Sequence, residues 1–163
     1  MNVVEAAGLS KWYGEVIGLN NFSLEVPGGI TGIVGPNGAG KSTFFKLLTG
    51  NIRANTGELR VLGERPWGNQ ALLARVGFCP DYDFLPPDLS GHQYLRCVGG
   101  LHGMEGDGLR SRIDEVLEIV GMAKDAGRRM GGYSKGMRQR IKIAGSLLHE
   151  PQLLLLDEPL TGT

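Results

Sequence analysis

At 163 residues the chain is long enough for one domain with a hydrophobic core, and 41% hydrophobic with 21% charged residues excludes a disordered composition. Seventeen basic residues against seventeen acidic ones leave no net field to draw it to nucleic acid or anionic lipid, and no apolar run approaches the ~20 residues of a membrane helix. Twenty-seven glycines exceed twice the average usage of about 7%, which points to tight turns and to backbone that approaches a ligand closely.

The first residues, with Glu5 early, lack the basic-then-apolar pattern of a secretory leader. Val3 to Leu9 and Phe22 to Val26 read as short strands, separated by a turn-rich region at Tyr13-Gly14. Pro27-Gly28-Gly29 marks a turn, and Ile30 to Val34 reads as a buried strand running into a glycine-rich loop. After the loop, Thr43 to Thr49 is helical, with Phe44, Leu47 and Leu48 on one face and Gly50 as its stop. A strand over Gly57 to Leu62, a short helix around Gln70 to Leu73 and a strand over Arg75 to Cys79 follow. From Pro86 to about residue 145 the pattern is that of a helical insertion, with Ile113, Val116, Leu117 and Val120 on one apolar face. A helix from about Gly136 to Leu148 buries Met137, Ile141, Ala144 and Leu148, points Arg138 and Lys142 elsewhere, and ends before Pro151. Leu153 to Leu156 reads as a fully buried strand. Cys79 and Cys97 have neither zinc-ligand spacing nor a disulfide-rich setting, and read as free thiols of a reducing compartment.

Gly35-Pro36-Asn37-Gly38-Ala39-Gly40-Lys41-Ser42 matches the phosphate-loop pattern G-x-x-x-x-G-K-S/T in full, between an expected strand and an expected helix. Glycines let successive backbone N–H groups wrap phosphate oxygens, and a helix N-terminus adds partial positive charge. Lys41 is placed to reach the β- and γ-phosphates of a nucleotide and the Ser42 hydroxyl to ligate Mg²⁺, with Thr43 beside it. Asp157 and Glu158 stand at the end of the Leu153-to-Leu156 run. There Asp157 can hold Mg²⁺ through water, and Glu158 can polarise an attacking water as general base.

Taken with these two motifs, Tyr133-Ser134-Lys135-Gly136-Met137-Arg138-Gln139-Arg140 resembles the signature segment of the ATP-binding subunits of ABC transporters. The resemblance covers essentially the whole chain. It implies an α/β fold: a phosphate-loop NTPase core of RecA-like type, an N-terminal antiparallel β subdomain and a helical insertion subdomain, incomplete at the C-terminus. The corresponding segments are 1–85 for the β subdomain and phosphate-loop core, 86–145 for the helical subdomain, and 146–163 for the Asp-Glu strand and the chain end.

The implied function is binding and hydrolysis of ATP with Mg²⁺ to drive transport through a partner membrane permease. Two such domains pair head to tail, so that Ser134 and the Gly136 backbone would face the γ-phosphate of the partner domain's ATP. Tyr13, rather than Trp12, matches the aromatic that stacks on adenine. The implied location is cytoplasmic, at the inner face of the cell membrane, with membrane contact only through the permease and no nucleic-acid partner.

The segment departs from the usual Leu-Ser-Gly-Gly-Gln at Tyr133, Lys135 and Met137, and the resulting form resembles the ABC-2 exporter branch. Asp81 stands where the family has a glutamine that links nucleotide to permease; it keeps an oxygen for Mg²⁺ or water but is shorter and charged. Pro159-Leu160-Thr161-Gly162-Thr163 resembles the start of a loop that in the family leads to a further, central strand. The resemblance therefore implies a gap in the sheet and an isolated chain that is unstable or prone to aggregate. His92, His102 and His149 match no family role and read as surface or satisfied side chains. Arg128, Arg129, Arg138 and Arg140 form a basic cluster near the signature that reads either as a solvated face, the favoured reading, or as an aid in neutralising phosphate. The alternative is a non-hydrolysing nucleotide-binding or regulatory module. A ribosome- or DNA-acting relative would need a second copy or a long insert. A phosphate-loop kinase or GTPase would have no use for the signature segment.

Overall fold

Alternation of apolar and polar residues makes the start of the chain a half-buried strand. Val4 and Ala6 point inward and Glu5 and Ala7 outward; at Leu9 the inward set changes parity. The change coincides with a register shift between Ala6 and Leu9, where β1 takes three steps against two on its neighbour. The computed structural model describes residues 2–36 and 38–158. They fall into two compact units, Met1–Val76 and Gly77–Thr163.

In the first unit, β1 (Asn2–Tyr13) and β2 (Val16–Pro27) form an antiparallel hairpin turning at Gly14-Glu15. β3 (Thr56–Val61) adds antiparallel to the other edge of β1, giving the order β2-β1-β3. The strands are longer than the sequence pattern suggested because pairing on both sides of β1 holds residues with no apolar signal of their own. α1 (Lys41–Leu48) buries Phe44, Leu47 and Leu48. The Phe44 ring meets Phe22 of β2 edge-on, centroids 5.0 Å apart, fixing the helix beside the sheet. α2 (Gln70–Leu73) is capped by the Asn69 side chain, which accepts the Leu72 N–H.

Ile30 to Val34 is not a strand. The segment has no regular structure, and Ile30 and Val34 are fully exposed. An extended segment gains ladder hydrogen bonds only from a neighbour, and no strand among the described residues pairs with this one.

In the second unit, β4 (Val76–Cys79) is hydrogen-bonded to β5 (Leu153–Leu156). Only Leu155 of β5 is buried, not the whole run, because β5 has a single strand neighbour among the described residues. Between these strands come α3 (Gly91–Leu101), α4 (Gly106–Ile119), a 3-10 turn at Met130–Gly132 and α5 (Lys135–Leu147). α3 opens with a reciprocal cap between Ser90 and Gln93. Leu109, Ile113, Val116 and Leu117 of α4 pack with Leu95, Met122, Met130, Ile141, Ala144 and Leu148 into one core. Each such side chain contributes about 1.5–3 kcal/mol relative to exposure. Val120 and Met137, expected in the core, are half-buried at its margin.

Candidate functional site

The expected phosphate loop enters α1 through Gly35, Pro36, Gly38, Ala39 and Gly40; Asn37 lies outside the described residues. The Ala39 N–H donates to the Pro36 carbonyl at 3.2 Å and closes the turn. Gly40, just before the helix, has φ 92°, a left-handed conformation. A methyl group there would come within 2.7 Å of the Gly18 carbonyl oxygen and 2.8 Å of Leu19 Cδ1. Conformation and space both demand glycine. No side chain caps the start of α1, so its first N–H groups keep their donor capacity for an anion. Lys41 opens the helix and its Nζ donates to the Gly35 carbonyl at 2.5 Å, folding the ammonium back over the loop. Ser42 is exposed and Thr43 half-buried in the same turn.

Tyr13 ends β1 beside this loop. A methyl group on Gly18 of β2 would lie 2.6 Å from Tyr13 Cε2 and 3.0 Å from Thr43 Oγ1. The missing side chain at Gly18 thus lets the aromatic ring, the hairpin and the helix start converge. Lys11 Nζ stands 5.7 Å from the Tyr13 ring centroid, and the ring is 43% exposed.

In the second unit, Asp157 follows β5 and its N–H donates to the Cys79 carbonyl at 2.9 Å. Glu158, one residue on, is exposed and has φ 47°. A left-handed conformation at a non-glycine residue costs of order 1 kcal/mol, a strain typical of functional positions. Ser134 caps α5: its hydroxyl accepts the Met137 N–H at 3.2 Å and keeps its own proton to donate. Gly136 lies in the first turn. Tyr133, just before the cap, is buried and its hydroxyl donates to the Asp125 carbonyl at 2.9 Å. Burial pushes the Tyr133 phenol above its ordinary pKa.

The family model for ABC transporters matches residues 19–161. The chain belongs to the ABC transporter family. An ABC transporter ATP-binding protein of Nostoc sp. is 41% identical over 151 residues, covering 91% of this chain and 45% of that protein. The Nod factor export ATP-binding protein I of Rhizobium sp. is 36% identical over 162 residues, covering 98% of this chain and 53% of its own length. The chain spans about half the length of the curated relatives it matches. Among solved structures, an ATP-binding subunit of an ABC transporter superposes with a TM-score of 0.84 at 26% identity, covering 98% of this chain and 68% of that one. The α/β phosphate-loop architecture expected from the sequence is that of this family.

In this ABC domain the structure brings Tyr13 to the phosphate loop, and places Asp157 with Glu158, and Ser134 with Gly136, in the other unit. Gly18 was missed; a lone glycine inside the strand-like run Val16 to Leu19 was the available signal. Two cations depart from expectation. Lys142, expected to point away from the buried set of its helix, is itself buried, and Arg138, expected in a solvated face, is an ion-paired, half-buried side chain. Arg128 pairs with Asp125 at 2.8 Å, so the basic cluster is only partly a solvated face. His102 and His149 stack in parallel with centroids 3.9 Å apart, while His92 stands 4.0 Å from Asp114. Cys79 is buried and Cys97 exposed, both free. No group of three or more metal-ligating side chains of the His, Cys, Asp and Glu types occurs among the described residues. Pro159 to Thr163 lie outside them.

Proposed function

We propose that this chain is the ATP-binding part of an exporter's energy-supplying subunit, hydrolysing ATP to move helices of a partner membrane permease. The observation that carries the reading is the junction at Gly40: a left-handed glycine packed on Gly18 delivers an uncapped helix N-terminus, Lys41 and Ser42 together. In this reading the backbone of Gly35, Pro36, Asn37, Gly38, Ala39 and Gly40 wraps the phosphates, with Thr43 completing the cradle and Tyr13 stacking on the adenine. Lys41 neutralises the β- and γ-phosphates. Ser42 and Asp157 would hold Mg²⁺, with Asp81 a further candidate oxygen; the ion, when bound, offsets charge on the phosphates. Glu158 accepts a proton from the attacking water. Ser134 and the Gly136 N–H contact the nucleotide of a second nucleotide-binding domain, closing a head-to-tail dimer.

The named relative with a stated cargo is an exporter, which supports export as the direction. No helix among the described residues is long and apolar enough to cross a membrane. A peripheral place at the cytoplasmic face, through the permease, fits that observation, and the reading needs no nucleic-acid partner. Binding of a fluorescent ATP analogue with Mg²⁺ is the direct test. Lys41→Ala should weaken binding at least about tenfold, the loss of one charge-assisted contact in a partly desolvated site. Equal affinity in both proteins would sink the phosphate-loop assignment. Tight binding by the full-length protein with no turnover would favour the regulatory module instead.

A further inference from the structure

α5 does more than present Ser134 at its start. Arg138 and Lys142 lie four residues apart, hence on one face of the helix, and both reach the segment that follows β4. Arg138 Nε donates to Asp83 Oδ2 at 2.6 Å, and its Nη1 donates to the Met130 carbonyl at 3.0 Å. Lys142 Nζ donates to three consecutive carbonyls: Pro80 at 3.0 Å, Asp81 at 3.2 Å and Tyr82 at 3.1 Å. An ammonium has three N–H donors and no acceptor, so this one is fully used.

Lys142 is only 8% exposed. A buried ammonium stripped of its acceptors is strongly unfavourable. The segment therefore does not peel away from α5 unless the lysine is also released. Residues 80–85 have no helix or strand hydrogen bonds of their own, and Tyr82 and Phe84 turn outward, 69% and 86% exposed. Leu85, buried in the core, holds one end of this loop, and a side chain sixty residues away in sequence holds the other.

We propose that Lys142 is a positioning residue that clamps residues 80–82 to α5, so that the loop carrying Asp81 and the helix opened by Ser134 move as one body. Its consequence for turnover rests on the ATPase reading above; the clamp itself does not. A change felt at Asp81 is then delivered to Ser134 without a hinge between them, and Arg138 with Asp83 fastens the far end of the loop.

Limited digestion of the full chain with chymotrypsin, with and without ATP and Mg²⁺, tests this, because Tyr82 and Phe84 are exposed cleavage sites within the loop. In Lys142→Met, which nearly keeps the length of the side chain and removes its donors, cleavage after Tyr82 and Phe84 should be at least about tenfold faster. Amides 139–146 of α5 should keep their protection from hydrogen exchange. ATP affinity should stay within about twofold of wild type, while turnover falls at least about fivefold, because the clamp acts on the loop and not on the phosphate cradle. Asp83→Asn, a change at a half-exposed side chain, should raise cleavage at the same sites about threefold.

Unchanged cleavage after Tyr82 and Phe84 in both variants overturns the proposal. So does equal loss of protection in 139–146, which would make Lys142 a determinant of helix folding only. If wild type neither binds nor hydrolyses ATP, the nucleotide reading falls, while the cleavage pattern still decides the clamp.

Discussion

Tyr13 and Gly18 face each other across the first hairpin so closely that any β-carbon on Gly18 would collide with the Tyr13 ring at 2.6 Å. The same β-carbon would press on Thr43 in the first turn of α1, so one absent methyl group sets the spacing between an aromatic and a phosphate loop. Gly18→Val should cost about 1–3 kcal/mol of stability by overpacking. It should also weaken ATP binding about tenfold, whereas Gly18→Ala should do less of both. Tyr13→Ala should weaken binding by roughly 1–3 kcal/mol, the range for base–aromatic stacking, and Tyr13→Trp should retain it. Titration with a fluorescent ATP analogue, alongside thermal melts, separates affinity from folding.

Glu158 combines strain with chemistry. Glu158→Gln preserves shape and removes the carboxylate proposed as base; on that proposal turnover should fall about 10²–10⁴-fold with ATP affinity little changed. Glu158→Gly should lose turnover equally but gain a few tenths to about 1 kcal/mol of stability, since φ 47° suits glycine. Phosphate release and melting temperature, measured on both variants, check the pair. Turnover surviving in Glu158→Gln would remove its assignment as base.

Arg112 of α4 closes the end of α5. Its Nη2 donates to the Leu147 carbonyl at 2.8 Å and its Nε to the Leu148 carbonyl at 3.1 Å, with Glu115 paired to it at 2.7 Å. The guanidinium caps the Leu148 carbonyl, shares the Leu147 carbonyl with the Glu150 N–H, and complements the terminal dipole. Arg112→Ala should destabilise the helical unit by roughly 1.5–3 kcal/mol. Denaturant unfolding should register the loss, with ATP affinity unchanged.

Alkaline sensitivity should belong to the helical unit. Burial raises the pKa of the Cys79 thiol, against the opposing pull of the Lys142 ammonium, and burial likewise raises Tyr94 and Tyr133. For each, the unfolded chain loses its proton first as pH rises. The contribution to stability is therefore complete below the unfolded pKa and is lost as pH climbs through the folded one. Melting temperature should fall from about pH 9 upward, the ordinary thiol range onward. Cys79→Ala should flatten the first part of that fall and Tyr133→Phe the later part. A melting temperature that is flat to pH 11 would contradict the burial of these groups.

Much of the fold was legible because local patterns carry it. The 3.6-residue spacing of Ile113, Val116, Leu117 and Val120 predicts an inward helix face, and all but Val120 are buried. The β-prone run Val3 to Leu9 predicts a strand, and it lies within β1. The phosphate-loop string, Asp157 with Glu158 and the Ser134 segment could be singled out as candidates because each is a contiguous string of the residue types its proposed chemistry needs. What failed was local inference applied to non-local needs. Ile30 to Val34 has a buried strand's composition, yet a strand forms only where a neighbour supplies hydrogen bonds, and composition carries no record of that neighbour.

By itself, then, the sequence carried the resemblance to the family to which the chain belongs and, apart from the strand expected at Ile30 to Val34, the order of the elements it named. The tertiary structure alone decided that Gly18 sits against Thr43, that Lys142 is buried against three carbonyls and that Arg112 closes α5. Those choices depend on residues far apart in the chain meeting at hydrogen-bond or van der Waals distance. A basic residue on a helix is therefore read as solvated until the partner that desolvates it is in place.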